Sequence, residues 1–304
     1  MKKMIIVLMM LMLCACGSKK QEEVIADKLS IVSPSGAPAL AFYNCLDEDF
    51  QTLDASIIKT MVVSNEKPDI AVLPTNVAVA LLNKGINYSL AATITFGNFY
   101  IVSTNKDDDG VMDNDDKITL FQQGGIPDLV FRSVYKDIDV ERINYVNDAS
   151  DATREIVNPS SDSEYVLIAE PAMHISLTKN ANASVYADLQ DLYKQEYNHE
   201  LFQASIIVSN ELDYDKVVEF LNKLNKDIID LLDDPNLLVK AISDNKLEAG
   251  EAEAMFGNVN ADIVSLENNG VNLGYKSALE NKEGIDTFLE ILGMSKTSEE
   301  IYFK

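Results

Sequence analysis

The sequence of 304 residues contains few of the side chains on which metal centres and nucleophilic catalysis depend. It has no tryptophan, and its two histidines are His174 and His199. Neither histidine stands beside a plausible metal ligand or a nucleophile elbow, and no GxSxG, HExxH or P-loop motif occurs. The sequence therefore predicts a protein that is not an enzyme.

Positive charge is also scarce. Lys and Arg together number 25 against 49 Asp and Glu, which gives a net charge of −24 at pH 7. The arginines are Arg132, Arg142 and Arg154, and no basic cluster falls at a predicted strand end. Because such a surface repels nucleic-acid phosphates and anionic membranes, we expect no nucleic-acid partner.

The N-terminus carries an uninterrupted apolar run, residues 4–13, which is too short to form a stable membrane anchor. Lys2 and Lys3 precede this run, as in a signal peptide. The following LCACGS is similar to the bacterial lipobox, which predicts a signal peptide over residues 1–15 and a diacylglycerol group on Cys16. We then expect residues 16–27 to be a polar tether and the protein to be anchored to the outer face of the cell membrane. An ordinary secreted protein is the alternative.

Few cysteines remain for other roles. If Cys14 is removed with the signal peptide and Cys16 is lipidated, only Cys45 is left, which excludes a disulfide framework and a CxxC metal site. Cys45 lies in the apolar stretch ALAFYNCL, where we expect a small core residue.

Short apolar runs alternate with longer amphipathic segments, which indicates an α/β fold. The pattern predicts strands at 29–33, 58–64, 70–73, 88–103, 117–122, 143–146, 165–169, 184–187 and 204–209. It predicts helices at 38–46, 77–84, 127–135, 150–157, 172–178, 213–233 and 282–292. The order of these elements predicts that the chain leaves a first lobe near residue 103 and re-enters it near 205. Lobe 1 would hold 28–103 and 205–304 and lobe 2 would hold 104–204, with two hinge crossings.

Several segments in register resemble one family, the ABC-transporter solute-binding proteins of the nitrate, sulfonate, taurine and thiamine-precursor branch. The segments are LSIVSPSGAPALAF, DIAVLPTNVAVALLNKG, YSLAATITFGNFYIVS, QQGGIPDLVFRSV and YVLIAEPAMHIS. The resemblance implies a two-lobed type II periplasmic-binding-protein (Venus flytrap) fold. It also implies a small-molecule solute, an ABC permease in the membrane as partner, and no required cofactor. We expect a monomer.

Ligands of open α/β sheets bind beyond the carboxyl ends of the strands, where helix N-termini present unpaired N–H groups. At these turns the candidate ligand-binding residues are Ser33, Ser35, Gly36, Ala37, Thr75, Asn76, Gly124, Gly125, Asn147, Asp148 and Glu170. The resemblance places Glu170 at the cleft edge and adds Phe96, Gly97 and Asn98 near the hinge and the cleft floor. The alternatives are helix capping for Thr75, Asn76, Asn147 and Asp148, an ordinary loop at 33–38, a plain turn at the glycine pair, and core packing for at least one of Phe96, Phe99 and Tyr100.

The acidic loop at 105–116, NKDDDGVMDNDD, departs from the family pattern. Its oxygen ligands fall at the spacing of an EF-hand-like calcium loop, with Gly110 at the sixth position. The candidate ligands are Asn105, Asp107, Asp109, the Val111 carbonyl, Asp113 and Asp116. A solvated acidic hairpin is the alternative.

These observations leave more than one binding function open. The first hypothesis is a lipid-anchored component of an ABC importer that closes around a solute and delivers it to a permease. A surface receptor of the same fold would lack the permease, and an enzyme is the weakest hypothesis. Because arginine is scarce, a neutral or weakly basic flat heterocycle such as a pyrimidine fits better than a sulfonate-like or other small anion.

Overall fold

The computed structural model describes residues 28–104 and 110–304. The predicted signal peptide, the tether with Cys16 and three of the predicted calcium ligands, Asn105, Asp107 and Asp109, lie outside these ranges. Within the described ranges, no helix combines the length and the apolar composition needed to cross a membrane.

Strands and helices alternate along the described chain. They are β1 (Ser30–Ser33), α1 (Ala37–Leu40), β2 (Asp49–Thr52), α2 (Ala55–Met61), β3 (Ile70–Pro74), α3 (Thr75–Leu82), β4 (Tyr88–Thr95), β5 (Phe99–Ser103), β6 (Ile118–Phe121), α4 (Ile126–Val134), β7 (Asn144–Val146), α5 (Ala149–Val157), β8 (Tyr165–Ala169), α6 (Ala172–Lys179), β9 (Ser184–Asp188), α7 (Leu189–Tyr197), β10 (Ala204–Ser209), α8 (Tyr214–Asp233), α9 (Asn236–Asp244), α10 (Ala249–Phe256), α11 (Val259–Glu267), β11 (Leu273–Ser277) and α12 (Lys282–Ile291).

The first sheet has the strand order β11-β4-β10-β3-β1-β2. Its strand β1 pairs in parallel with β2 and β3, whereas β10 runs antiparallel to β3 and β4. Side chains of β3 alternate between two hydrophobic clusters: Ala71 and Leu73 join one, and Ile70 and Val72 join the other. Because both faces are covered, β3 is a continuous apolar run.

The second sheet repeats this plan with the order β7-β6-β8-β5-β9. Its strand β6 pairs in parallel with β7 and β8, and β5 runs antiparallel to β8 and β9. Each sheet is the centre of one lobe, so the α/β architecture with two lobes that the sequence predicts is confirmed.

The chain passes between the two sheets twice, once between β4 and β5 and once between α7 and β10. Since β5 pairs within the second sheet, the first crossing lies at residues 96–98, earlier than the boundary at 103 that the sequence predicts. The apolar residues of β4 and β5 form one β-like pattern in sequence, and the turn at Gly97, with φ 94°, separates them. The second crossing ends at β10, next to the predicted return at 205.

The C-terminal helix α12 packs across the junction of the two lobes. Its Phe288 contacts Tyr193 of α7 and Phe202 of the second crossing, with ring centroids 6.3 and 6.4 Å apart. The same Phe202 ring packs edge-on against Phe96 of the first crossing at 5.9 Å. Aromatic side chains thus join both crossings to a helix that follows them in sequence.

The strand predicted at 58–64 is wrong, because helix α2 and the turn after it occupy this segment. Ile58 and Val62, four residues apart, are both buried, whereas Ile57 and Val63 are exposed. This is the spacing of one helix face, which the density of β-branched residues conceals in sequence. The strand that pairs with β1 on the outer side is β2, which the sequence pattern does not predict.

Candidate functional site

A cavity of about 570 Å³ lies between the two lobes, a size suited to a small organic molecule. The turns after β1, β3, β6 and β8 line it, together with the first turn of α5 after β7, so both sheets contribute at the carboxyl ends of their parallel strands. The lining residues that bear on the chemistry of the cavity are Ser35, Gly36, Ala37, Asn76, Asn98, Phe99, Phe121, Gln122, Gly124, Gly125, Ser150, Glu170, Gln203, Glu253, Phe256 and Asn258.

The first-lobe wall begins at the turn that follows β1. Gly36 adopts a left-handed φ of 77° before α1, a conformation that residues with a Cβ rarely adopt. Its N–H donates to the Met255 carbonyl at 3.3 Å, which fixes the end of α10 beside the turn. Through this contact, Glu253, Phe256 and Asn258 reach the cavity.

Strand β3 ends at Pro74, and α3 begins there without a side-chain cap. Asn76, in the first turn of α3, lines the cavity. Its side-chain oxygen Oδ1 is buried and accepts no hydrogen bond within the described residues. Because a buried acceptor without a donor is unfavourable, this oxygen is a site for a ligand donor or an ordered water.

The second-lobe wall is the Gly124–Gly125 turn at the start of α4, which likewise has no side-chain cap. Buried Asp128 holds this turn: its carboxylate accepts from the Gly124 N–H at 2.7 Å, from Arg132 at 2.8 Å and from the Tyr145 hydroxyl at 3.0 Å. The uncapped first turn of α4 therefore presents backbone N–H groups to the cavity.

The cavity floor is a chain of amide hydrogen bonds that joins both crossings. Asn98 donates through Nδ2 to the Glu170 carbonyl at 2.8 Å, and Gln203 donates through Nε2 to Asn98 Oδ1 at 3.1 Å. These bonds determine the orientation of both amides. They leave Gln203 Oε1 as a second buried acceptor without a partner among the described residues.

Glu170 is a largely buried carboxylate at the end of β8, 7% exposed. One oxygen, Oε2, accepts from the His174 backbone N–H at 3.1 Å. Burial raises the pKa of Glu170, and the His174 N–H and the Ser265 hydroxyl lower it in part. Ser265 is on α11 of the first lobe, so Glu170 contacts both lobes.

The cavity lining contains carboxylates and no cationic side chain. Glu170 and Glu253 line it, and no Lys, Arg or His does so among the described residues. Three phenylalanines, Phe99, Phe121 and Phe256, supply apolar surface. A cavity with this lining favours a neutral or cationic molecule with an apolar face over a free anion.

Not all predicted ligand contacts reach the cavity. Ser35, Gly36, Ala37, Asn76, Asn98, Gly124, Gly125 and Glu170 line it, whereas Ser33, Thr75, Phe96, Gly97, Asn147 and Asp148 do not.

The residues away from the cavity have structural roles. Ser33 donates to the Pro34 carbonyl, and buried Thr75 bonds the Ser205 hydroxyl at 2.7 Å. Asp148 accepts from the N–H groups of Ser150 and Asp151 and so caps α5, as the capping alternative has it. Phe96 packs on Phe202, as the core-packing alternative has it. The other two residues are Gly97, in the hinge turn, and Asn147, which donates to Asp151.

The described part of the acidic loop runs from Gly110 to Asp116. The carboxylate of Asp116 accepts from the Asp113 N–H at 2.6 Å, and that of Asp113 accepts from the Asp115 N–H at 2.7 Å. Within the described residues, no group of three His, Cys, Asp or Glu is placed to hold a metal ion.

Comparison with known proteins shows similarity in structure. No protein-family model and no curated protein matches the sequence. An ABC transporter from Parabacteroides distasonis is similar with TM-score 0.73 and 20% identity, covering 91% of this chain and 99% of its own. The periplasmic aliphatic sulphonate binding protein SsuA from Escherichia coli has TM-score 0.62 and 11% identity, covering 91% and 92%.

A Candida albicans protein described as having the generic periplasmic binding protein fold gives TM-score 0.52 and 11% identity, over 88% of this chain and 89% of its own. This chain has the periplasmic-binding-protein fold. In such a two-lobed protein, the cavity described above is the interlobe cleft.

Proposed function

We propose that the protein is the solute-binding component of an ABC importer, which captures a small organic molecule in the interlobe cleft and delivers it to a membrane permease. The observation that carries the proposal is a cleft with walls from both lobes and with the unpartnered acceptors Asn76 Oδ1 and Gln203 Oε1 inside. Lobe closure around a ligand that donates to these oxygens would satisfy them. In this proposal the protein makes and breaks no covalent bond.

The proposed ligand is a neutral or weakly basic flat heterocycle, such as an aminopyrimidine related to thiamine precursors. Amino groups on the ring would donate to Asn76, Gln203 or Glu170, and ring nitrogens would accept from the uncapped N-terminus of α4. The phenylalanine side chains supply a surface for the ring faces. A sulfonate is the second candidate, because SsuA from Escherichia coli is a sulphonate binding protein, but the cleft lining offers it no cationic side chain.

The decisive experiment is native mass spectrometry of protein purified without refolding, followed by thermal-shift measurements. The panel would contain aminopyrimidines, alkanesulfonates, nitrate and bicarbonate. A co-purified small molecule, or a ligand that raises the melting temperature of the wild type and not of Gln203→Leu, would support the proposal. Ser89→Ala, an exposed change in β4, is the control for folding. No bound mass and no shift with any compound would overturn it.

The proposed location is the outer face of the cell membrane, with a lipid on Cys16. Intact-mass analysis of the membrane fraction should show a lipid adduct on the wild type. Cys16→Ser should abolish the adduct and release the protein into the soluble fraction. A surface receptor of the same fold would give the same result, and co-purification of a permease would separate the importer component from it.

For the acidic loop we propose calcium binding through Asn105, Asp107, Asp109, the Val111 carbonyl, Asp113 and Asp116. Calorimetry on chelator-treated protein should show binding heat with Ca²⁺ that Asp107→Asn reduces. The absence of heat at millimolar Ca²⁺ would leave the solvated acidic hairpin as the correct description.

A further inference from the structure

Asp262 is a buried acid without a visible partner. It lies on α11 with no exposed surface, and neither carboxylate oxygen has a hydrogen-bond partner within the described residues. An ionised carboxylate in such a position is strongly unfavourable unless a charge or a proton compensates for it. The charge state of Asp262 therefore depends on the groups that surround its carboxylate.

The acid whose charge acts on Asp262 is Glu170, which follows β8 in the other lobe. Helix α11 packs against α6, the helix that follows Glu170. The Glu170 side chain also packs against Gly270 in the segment after α11. If Gly270 carried a β-carbon, that atom would lie 3.3 Å from Glu170 Oε1. Tyr100 of β5 donates to the Gly270 carbonyl at 3.1 Å. The two acids thus lie at a packed contact between the lobes.

Among the described residues, neither Asp262 nor Glu170 takes part in a salt bridge. Burial, and to a smaller extent the charge of Glu170, raises the pKa of Asp262 to about 8. His174 on α6 is the titratable group that acts on Glu170, and it lowers that pKa slightly. Helices α8, α9 and α10 also pack on α11, and among the described residues they bring no further charge to bear on either acid. Two buried carboxyl groups without a compensating cation bind a proton more tightly than either does in water.

We propose that Asp262 is a proton-binding site at the contact between the lobes: a proton on Asp262 holds α11 against the second lobe, and its loss places a second negative charge near Glu170, so that the two carboxylates repel each other and this contact loosens. Asp262 thereby acts as a positioning residue for Glu170, which lines the cleft. The proposal concerns the lobe contact and does not depend on the identity of the solute.

The sign of the pH dependence follows from a raised acid pKa in the folded state. Below about pH 4 both folded and unfolded Asp262 hold the proton, so this group contributes nothing to the pH dependence. Between about pH 4 and pH 8 the unfolded chain has lost the proton and the folded chain keeps it. Stability therefore falls as pH rises through this window, and the effect levels off above the folded pKa.

The test compares the full chain with Asp262→Asn, whose neutral amide resembles the protonated acid. The ratio of the folding constant of the variant to that of the wild type should rise by up to about tenfold per pH unit between pH 5 and pH 7. Small-angle scattering should show expansion of the wild type above pH 8 and none for the variant. A ratio independent of pH would overturn the proposal.

Two further measurements distinguish other causes. Glu170→Gln removes the second charge but leaves Asp262 buried, so it should weaken the pH dependence without abolishing it, and it provides the test if Asp262→Asn does not fold. Asp128→Asn, a buried acid paired with Arg132, should lower stability at every pH and is the matched control. If Na⁺ or Ca²⁺ raises the melting temperature of the wild type at pH 8 but not that of Asp262→Asn, the site binds a cation, and the proton proposal is wrong.

Discussion

Gly97 has no room for a side chain in the first crossing between the lobes. Its φ is 94°, and a β-carbon would lie 2.5 Å from Leu201 Cδ1 and 2.8 Å from Gln190 Cγ. Gln190 is held in place because its Oε1 accepts from the Phe99 N–H at 2.7 Å. The turn therefore requires glycine both for its backbone conformation and for the close approach of the second crossing.

We expect Gly97→Ala to lower the free energy of unfolding by about 2–4 kcal/mol, since strain and overpacking act together. Gly85→Ala is the matched control, because Gly85 has φ 82° with open space around it. It should cost only about 1 kcal/mol, from backbone strain alone. Urea unfolding measures both, and equal losses would show that the contacts of Gly97 contribute nothing.

Asp128 is a second residue on which the cleft depends, because three donors converge on its buried carboxylate. Asp128→Ala should lower the free energy of unfolding by about 2–4 kcal/mol, since the Gly124 N–H, the Tyr145 hydroxyl and Arg132 lose their acceptor. Denaturant titration measures the loss. Asp115→Ala, which removes an exposed acid 3.9 Å from Arg142, should change stability by no more than about 0.5 kcal/mol. A similar small effect at Asp128 would contradict its role.

At the residue scale, the sequence predicts the positions of the turns better than the directions in which their side chains point. It placed both Thr75 and Asn76 at the end of β3, but successive helical residues point about 100° apart. Thr75 consequently faces the sheet and Asn76 faces the cleft. The sequence analysis does not include Gln203 among the candidate ligand-binding residues. The predicted return to the first lobe near 205 lies beside this residue and is the signal that could have indicated it.

A chain of buried hydroxyl groups joins two strands of the first sheet and the start of α3. The Ser205 hydroxyl of β10 lies 2.7 Å from Thr75 Oγ1, at the start of α3, and 2.9 Å from Thr93 Oγ1 of β4. Each hydroxyl is both donor and acceptor, so the central one satisfies its two neighbours.

Ser205→Ala should therefore lower the free energy of unfolding by about 1–3 kcal/mol, because it leaves two buried hydroxyls without their shared partner. Thermal unfolding checks the value. The control is Ser89→Ala in β4, where the hydroxyl donates to Asn210 in an exposed position and its loss should cost less than about 0.5 kcal/mol. If both variants lose equally little, the buried chain contributes no stability.

At the scale of elements, the buried apolar strands were predictable, whereas the individual helices α9, α10 and α11 were not. The buried runs of β3, β8 and β10 stand out because both faces of these strands are covered. Helix α10, by contrast, brings Glu253 and Phe256 to the cleft through the contact of Gly36 with Met255. That contact joins residues far apart in sequence, so no local pattern reveals it.

The whole molecule carries a large excess of negative charge, −24 at pH 7. Mutual repulsion among these groups opposes the compact state and is screened by salt. We expect the melting temperature to rise as NaCl increases from about 0.01 to about 0.3 M, over which the Debye length falls from about 30 Å to below 8 Å.

The control for this prediction is CaCl₂ at matched ionic strength. An equal rise with both salts indicates general screening, and a larger rise with CaCl₂ indicates specific binding. A melting temperature that falls as NaCl increases would show that the surface ion pairs, such as Lys117 with Asp162, outweigh the repulsion.

At the largest scale, the alternation of apolar runs indicates the α/β class and the family resemblance implies the two lobes, while the exact crossing and the two acids were not predictable. The sequence order of β4 and β5 gives no sign that they belong to different sheets. Asp262 appears in sequence as one of many acids on a helix, and only packing against α6 distinguishes it.

The Gln203 side chain is a planar group with one end in the hinge and the other in the cleft. A solute that donates to its oxygen leaves the bond to Asn98 intact. A solute that needs a donor there would require the amide to turn over, which would break the link between the crossings and bring two carbonyl oxygens face to face. Selection between solutes would then arise from the fixed orientation of an uncharged group, which is set by the contact that joins the two crossings.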